Sequence, residues 1–202
     1  MNKNRLILMA VVCLAWTAPL AGAADKPISG AKIVLRDPVD FTQRRFSFLS
    51  RDPNITFGSN GDSDTPSQNG GALLIFNPVS SECQCIVLPP SGYGIGNEGK
   101  RLLYRDPQVV NTPVKLVMIK AGKLKILARG AALTGVTLDE TSQDQIAVHY
   151  QSGAGSKLCT EFSGGTIRAN QPGAFIALNS APPASCLPEP AGCTPCVPQP
   201  LP

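Results

Sequence analysis

RRFSFLSRDPNITFGSNGDSDTPSQNGGALLIFNP, residues 44–78, indicates the fold class of this chain. Its opening residues alternate in polarity, with Phe46 and Phe48 on one side, which is the period-two pattern of a β-strand. Its last part, residues 72–76, is a continuous apolar run, as expected of a strand buried on both faces. Residues 58–71 between them are all small or polar and predict a long loop, a kind of segment that is usually functional or mobile.

Other short apolar runs, bounded by Pro, Gly or Asp-Pro, follow the same pattern: residues 31–37, 82–88, 100–104, 145–151, 157–162 and 174–178. We read residues 25–30 as a flexible lead-in and residues 91–99 as a glycine-rich loop. No helix of ten or more residues is indicated after position 23. The sequence therefore predicts an all-β fold, an antiparallel sandwich or barrel-like domain over residues 24–180, followed by a Pro-rich extended tail, residues 181–202.

The clearest local pattern is VKLVMIKAGKLKILAR, residues 114–129, in which an Ala-Gly pair forms a two-residue hairpin turn. This register places Ile119 opposite Leu124 and Val117 opposite Ile126 on an apolar face. The other face is basic near the turn: Lys120, Lys123 and Lys125.

Residues 100–129 contain eight basic residues and one acid, Asp106. One interpretation is a patch for an anionic envelope surface, such as acidic polysaccharide or lipid headgroups. The other is the solvated face of edge strands, where lysines also prevent aggregation. The lysines that would contact such a surface are Lys115, Lys120, Lys123 and Lys125.

The first 23 residues have the pattern of an export signal. Lys3 and Arg5 precede an apolar run, residues 6–20, and small residues end at a cleavage site after Ala23. The run is short for a membrane span. Cleavage leaves 179 residues with a net charge of +2, which gives no general case for nucleic-acid binding. We therefore expect an exported protein, periplasmic or extracellular, that is not an integral membrane protein after cleavage.

Six cysteines follow position 23, and an even number in an exported chain predicts disulfides, for which fifteen pairings exist. Cys83 and Cys85 lie on one side of a strand, which favours separate partners. Cys193 and Cys196 form a CxxC in the Pro-rich tail, without the context of a zinc or thioredoxin-like site. Structural disulfide bonding or surface thiols are the better interpretations of this pair.

Chemistry-bearing residues are few. Asp62 and Asp64, with Asn60, offer alternating oxygens of the kind that calcium prefers, although solvated turns often have this composition. The single histidine, His149, lies on a mixed strand face typical of a surface residue, and no GxSxG motif is present. A GxGxxG match, residues 94–99, lacks the following helix that nucleotide binding needs. The sequence predicts no catalytic residue and no cofactor other than this calcium candidate.

Several segments resemble an uncharacterised family of exported bacterial proteins: KIVLRDP, RRFSFLSRDPNIT, GGALLIFNP, LPPSGYGIGNEGKRLLYRD, PVKLVMIKAGKLKILARG, LCTEFSGGTIR and APPASC. They follow one another through most of residues 31–186. The resemblance implies an all-β extracytoplasmic domain with no known activity, and it implies a disulfide between Cys159 and Cys186. This chain departs from the family by a serine between Phe162 and Gly164 and by its CTPC tail.

Three functional hypotheses follow. The first is a non-enzymatic exported β domain with a binding or structural role at the cell envelope or outside the cell. The second is an envelope hydrolase without a recognisable motif. The third is a calcium- or carbohydrate-binding module, against which the aromatic content of 5% counts, because sugar-binding platforms use exposed aromatic rings.

Overall fold

The computed structural model describes residues 24–57, 66–96 and 99–199. The export signal, its cleavage site at Ala23 and the calcium candidates Asp62 and Asp64 lie outside these residues. Thirteen strands make up the described part: β1 (Asp25–Pro27), β2 (Gly30–Arg36), β3 (Arg45–Ser50), β4 (Gly71–Phe76), β5 (Cys83–Leu88), β6 (Tyr93–Gly96), β7 (Arg101–Arg105), β8 (Val114–Lys120), β9 (Lys123–Arg129), β10 (Gln145–Ser152), β11 (Lys157–Ser163), β12 (Ile167–Gln171) and β13 (Ala174–Ser180).

Helical structure in the described residues is limited to short turns. One four-residue α-helix, α1 (Pro66–Asn69), precedes β4, and 3-10 turns occur at Phe41–Gln43, Pro90–Gly92, Gly164–Thr166 and Ala191–Cys193. The expectation of an all-β fold without a helix of ten residues is confirmed for this part of the chain. No helix among the described residues is long and apolar enough to cross a membrane.

The strands form two stacked sheets. The small sheet has the order β1-β11-β10-β4-β5, and the large sheet has the order β12-β13-β2-β3-β9-β8-β7-β6. All pairs are antiparallel except β1 with β11. The apolar faces meet between the sheets, as in the edge-to-face pair of Phe48 and Phe162, whose ring centroids are 6.2 Å apart. This is a β-sandwich, the first of the two architectures that the sequence indicated.

The predicted hairpin register is confirmed. Ile119 pairs with Leu124 and Val117 with Ile126, and these side chains are buried between the sheets. Alternation then places Lys120, Lys123 and Lys125 on the outward face. The register shifts between Val114 and Leu116, so Lys115 lies beside a local irregularity of the ladder.

β4 is buried on both faces, as its continuous apolar sequence predicted. Leu73 and Ile75 face the large sheet, whereas Leu74 and Phe76 face outward. The outward pair is covered by the Pro-rich segment, residues 181–199, through Leu187, Cys193 and Cys196. The expected extended tail is therefore a third layer packed on the small sheet.

Three short edge elements differ from the expectations. The supposed flexible lead-in contains β1, which pairs with β11 in register with Lys157, and the supposed glycine loop contains β6. β12, with the sequence IRANQ, was not foreseen at all. β1 and β12 are poor in β-branched and aromatic residues, and β6 alternates Tyr93 and Ile95 with glycine; in each case the unpaired backbone of a neighbouring strand supplies the hydrogen bonds that make the segment a strand.

Candidate binding face of the large sheet

The outer face of the large sheet carries charge of one sign. Its eight strands contain no Asp or Glu, and they contain eleven Lys and Arg: Lys32, Arg36, Arg45, Arg101, Arg105, Lys115, Lys120, Lys123, Lys125, Arg129 and Arg168. Within the described residues none of the eleven forms an ion pair. A positive potential over this face is therefore not cancelled by contacts inside the sheet.

Three of these cations form a row across the middle of the sheet. Arg45 of β3 is the register partner of Arg36 on β2 and of Arg129 on β9. All three side chains are exposed. Like charges directly opposite each other on neighbouring strands destabilise a sheet, so folding stability alone gives no reason for this arginine row.

A second row, of lysines, lies four register pairs further along the same strands. Lys125 pairs with Leu49, and Leu49 pairs with Lys32. At the hairpin turn Lys120 pairs with Lys123. Three of the four lysines predicted to form a basic patch thus lie together on this face, and Lys115 lies apart at the irregular position.

A half-exposed strip separates the arginine row from the lysine row. It runs across neighbouring strands through Leu116, Leu127, Ser47, Val34 and Ile176. The face is thus amphipathic, because apolar side chains lie between two lines of cations. The stems of lysine and arginine can lie on such a strip while their charged ends stay in water.

Two open clefts adjoin this face. One, of about 320 Å³, lies between Arg129 and the loop that joins β7 to β8, and its wall includes Val110. The other, of about 350 Å³, lies at the β6 edge, where Gly94 leaves space beside Leu103 and Arg105.

Asp106 fixes the loop between β7 and β8 from inside. Its carboxylate accepts hydrogen bonds from the backbone N–H groups of Val110, Asn111 and Thr112, at 3.1, 2.8 and 3.2 Å. Burial alone would raise the pKa of Asp106, but these hydrogen bonds together outweigh burial and lower the pKa below its usual value. Asp106 therefore shapes the cleft without facing it as a free anion.

His149 is not a surface residue, which corrects the expectation from the sequence. It is 3% exposed, because the tail covers its face of the small sheet, and its ring meets that of Phe76 edge-to-face at 5.0 Å. Its Nδ1 lies 3.5 Å from an oxygen of Glu189 in the tail, and Lys157 lies 3.4 Å from the same oxygen. Asp25 pairs with Lys157 at 3.1 Å and completes the cluster.

This buried cluster has the chemistry of a structural contact. Burial lowers the pKa of His149, and the hydrogen bond with Glu189 opposes part of that effect. Among the described residues Glu189 is the hydrogen-bond partner of His149, and Cys159, its register partner on β11, is held in a disulfide and is not a free nucleophile. The cluster joins the tail to the small sheet.

Three disulfides fasten the tail: Cys83–Cys193, Cys85–Cys196 and Cys159–Cys186. Cys83 and Cys85 have separate partners, as their spacing favoured. Cys193 and Cys196 are both bonded, but to these two residues of β5 and not to each other. Cys159 and Cys186 are the pair that the family resemblance implied. The bonded cysteines fit a protein of an oxidising compartment.

One carboxylate cluster was missed by the sequence reasoning. Oxygens of Glu82, Asp139 and Glu140 lie within 4.8 Å of one another. Residue 82 is far from residues 139 and 140 in sequence, so no local pattern could reveal the group. The backbone N–H of Thr137 donates to Glu82, its hydroxyl donates to Asp139, and Gln143 donates to Glu140, so the chain's own donors already engage all three carboxylates.

A scan against protein-family models, a search of the curated proteins and a search of the solved structures each found no match to this chain.

Proposed function

We propose that this protein is a non-enzymatic exported binding module whose outer face of the large sheet holds an anionic surface of the cell envelope. The observation that carries the proposal is the charge asymmetry of the large sheet, with eleven cations and no acid in its eight strands. The small sheet offers no comparable face, because the tail covers its outer side.

The alternative explanation by edge protection does not fit the strand order. Lysines that prevent aggregation belong on edge strands, and the edges of the large sheet are β6 and β12. β3 and β9, which carry Arg45, Lys123, Lys125 and Arg129, lie at its centre. Cations concentrated on central strands support a binding role for this face.

The strength of such binding follows from surface electrostatics. Each lysine or arginine near an anionic membrane surface contributes about 1 kcal/mol, and the contribution decays within a Debye length of about 8 Å at physiological salt. Several cations acting together therefore support binding that weakens steeply as salt is added.

The test measures retention of residues 24–202 on an anionic and on a neutral support over a salt series. We expect retention on the anionic support alone. We expect the variant Lys120→Gln, Lys123→Gln, Lys125→Gln to elute at clearly lower salt. The control variant adds Asp139→Asn, Glu140→Gln and Asp144→Asn, which restore the net charge at positions outside the eight strands of the sheet.

If binding depends on the charge of this face, the control variant should elute at the same lowered salt concentration as the three-lysine variant, although its net charge is restored. Full recovery in the control variant would show that only net charge acts and would refute the proposed face. Equal retention on the neutral support would refute the proposal as well.

A further inference from the structure

The arginine row is built for recognition of an oxyanion. Arg36, Arg45 and Arg129 lie on three neighbouring strands as direct register partners, and partners of this kind have Cα atoms about 5 Å apart. None of them has an ion-pair partner among the described residues. A guanidinium group binds phosphate or carboxylate oxygens through two parallel hydrogen bonds, which an ammonium group cannot do.

Exposed apolar side chains surround the same end of the sheet. Val39 is fully exposed and Phe41 is 57% exposed, and both lie on the turn that joins Arg36 to Arg45. Val110 is 78% exposed and shares the 320 Å³ cleft with Arg129. The row of guanidinium groups is thus bordered on two sides by apolar loop residues.

Carboxylates near the row are already engaged. Asp37 accepts a 2.5 Å hydrogen bond from Arg44 Nε, and Asp40 accepts hydrogen bonds from Thr42 and Gln43 within its own turn. Neither carboxylate forms an ion pair with a member of the arginine row.

The neighbours of the row favour a lipid over a polysaccharide. An acidic sugar polymer is recognised largely through aromatic platforms and hydrogen bonds, and the aromatic side chains of β3 and β13 point into the core, as Phe46, Phe48 and Phe175 do. A phospholipid offers both a phosphate for the arginines and an apolar layer for Val39, Phe41 and Val110. Exposed apolar groups beside cations are the usual features of an interfacial membrane contact.

We propose that the arginine row binds headgroup phosphates of an anionic phospholipid bilayer, while the bordering apolar loop residues enter the headgroup layer. This inference rests on the proposed function, a face for anionic surfaces, and identifies the surface as a bilayer. The argument for this occupant is the charge complementarity to lipid phosphates of three guanidinium groups that have no ion-pair partner in the described part of the chain.

The test measures co-sedimentation of residues 24–202 with vesicles of phosphatidylglycerol and phosphatidylcholine and with vesicles of phosphatidylcholine alone. Binding to polygalacturonate, a carboxylate polysaccharide, is measured in parallel. The first variant is Arg36→Lys, Arg45→Lys, Arg129→Lys, which keeps every charge. The second variant is Val39→Ser, Phe41→Ser, Val110→Ser, which changes only exposed loop residues.

Matched controls are substituted away from the row. Arg51→Lys, at an exposed arginine outside the eight strands, controls the first variant, and Val79→Ser, Val87→Ser, Val197→Ser controls the second. We expect each test variant to lose about tenfold or more in affinity for phosphatidylglycerol vesicles and each control to lose less than twofold. We expect polygalacturonate binding of the Val/Phe variant to stay within twofold of the unchanged protein.

The two proposals fail differently. Binding to polygalacturonate without binding to vesicles would overturn the bilayer and leave the cationic face intact. Vesicle binding that is unchanged in both test variants would overturn the role of the row and its apolar border. Binding to neither anionic partner would refute the proposed function itself. The Val/Phe variant keeps the core untouched, so a folding failure of the arginine variant does not remove the test.

Discussion

Removing both disulfides between the tail and β5 should cost more than twice the free energy of unfolding that removing either one costs. Cys83–Cys193 and Cys85–Cys196 have sequence separations of 110 and 111, so each alone closes almost the same long loop. Once one exists, the other closes a ring of only about five residues. The second disulfide therefore removes little further entropy from the unfolded chain.

The chain-entropy relation gives the magnitudes. Closing a ring of about five residues stabilises the folded protein by about 2 kcal/mol. The free energy of unfolding should fall by that amount when one of these disulfides is removed. Removing both disulfides also opens the long loop that either one alone keeps closed. Cys159–Cys186 shortens this loop to about 80 residues, so opening it adds about 4.5 kcal/mol to the loss in the free energy of unfolding. The double loss of about 6–7 kcal/mol exceeds the roughly 4 kcal/mol expected of independent bonds.

The assay is urea denaturation of cysteine-to-alanine pairs without reductant. One variant replaces Cys83 and Cys193, a second replaces Cys85 and Cys196, and a third replaces all four. Removing Cys159–Cys186, whose sequence separation is 27, is the reference and should cost about 3–4 kcal/mol. A four-cysteine variant that loses only the sum of the two pairs, or a single pair that costs as much as the reference, would refute the reasoning.

Three further predictions concern the small sheet. Leu74→Ala should cost about 2–5 kcal/mol although Leu74 points outward, because the tail leaves it 1% exposed. Gly71→Ala should cost about 1–3 kcal/mol, since the new methyl group would overlap the Tyr93 hydroxyl, and adding Tyr93→Phe should recover part of that loss. The free energy of unfolding should fall as pH drops below about 6.5, because burial lowers the pKa of His149 in the folded state and the unfolded state then binds its proton first. His149→Gln should flatten that part of the profile.

Urea denaturation measures all three, and each has its own contrary result. A cost below 1 kcal/mol for Leu74→Ala would mean that the tail does not seal this face. Simple additivity of Gly71→Ala and Tyr93→Phe would mean that the methyl group and the hydroxyl do not collide. An unchanged slope between pH 7 and pH 5 in His149→Gln would assign the pH dependence to other groups.

Local patterns made much of the sandwich predictable. The hairpin from Val114 to Arg129 could be placed with its register, because alternation and a two-residue turn fix each other. β4 could be recognised as buried on both faces from its apolar run alone. The sequence did not predict that the tail covers the outer face of β4. Cys83 and Cys193, which join the tail to the neighbouring β5, are 110 residues apart, and no local pattern links them. The burial of His149 was missed for the same reason.

The candidate site was only half predictable. The lysines near the hairpin turn stand close together in sequence, so their charge was visible as a cluster. Arg129 lies far along the chain from Arg36 and Arg45, and only the pairing of β3 with β9 brings it into one row with them. Their significance depends on register, which a sequence specifies within a hairpin but not between strands that are far apart in the chain.

The two outer sides of the sandwich differ: the tail covers the small sheet, here called the back, and the outer face of the large sheet is the front. The tail and the cationic face lie on opposite sides of the sandwich, separated by both sheets and the core between them. A dye or a tether attached at Val197, which is exposed on the tail, would therefore point away from whatever the front contacts. Because the tail is covalently joined to β5 and β11, tension on such a tether passes directly into the small sheet. A protein immobilised by its tail would present the large sheet outward in one defined orientation.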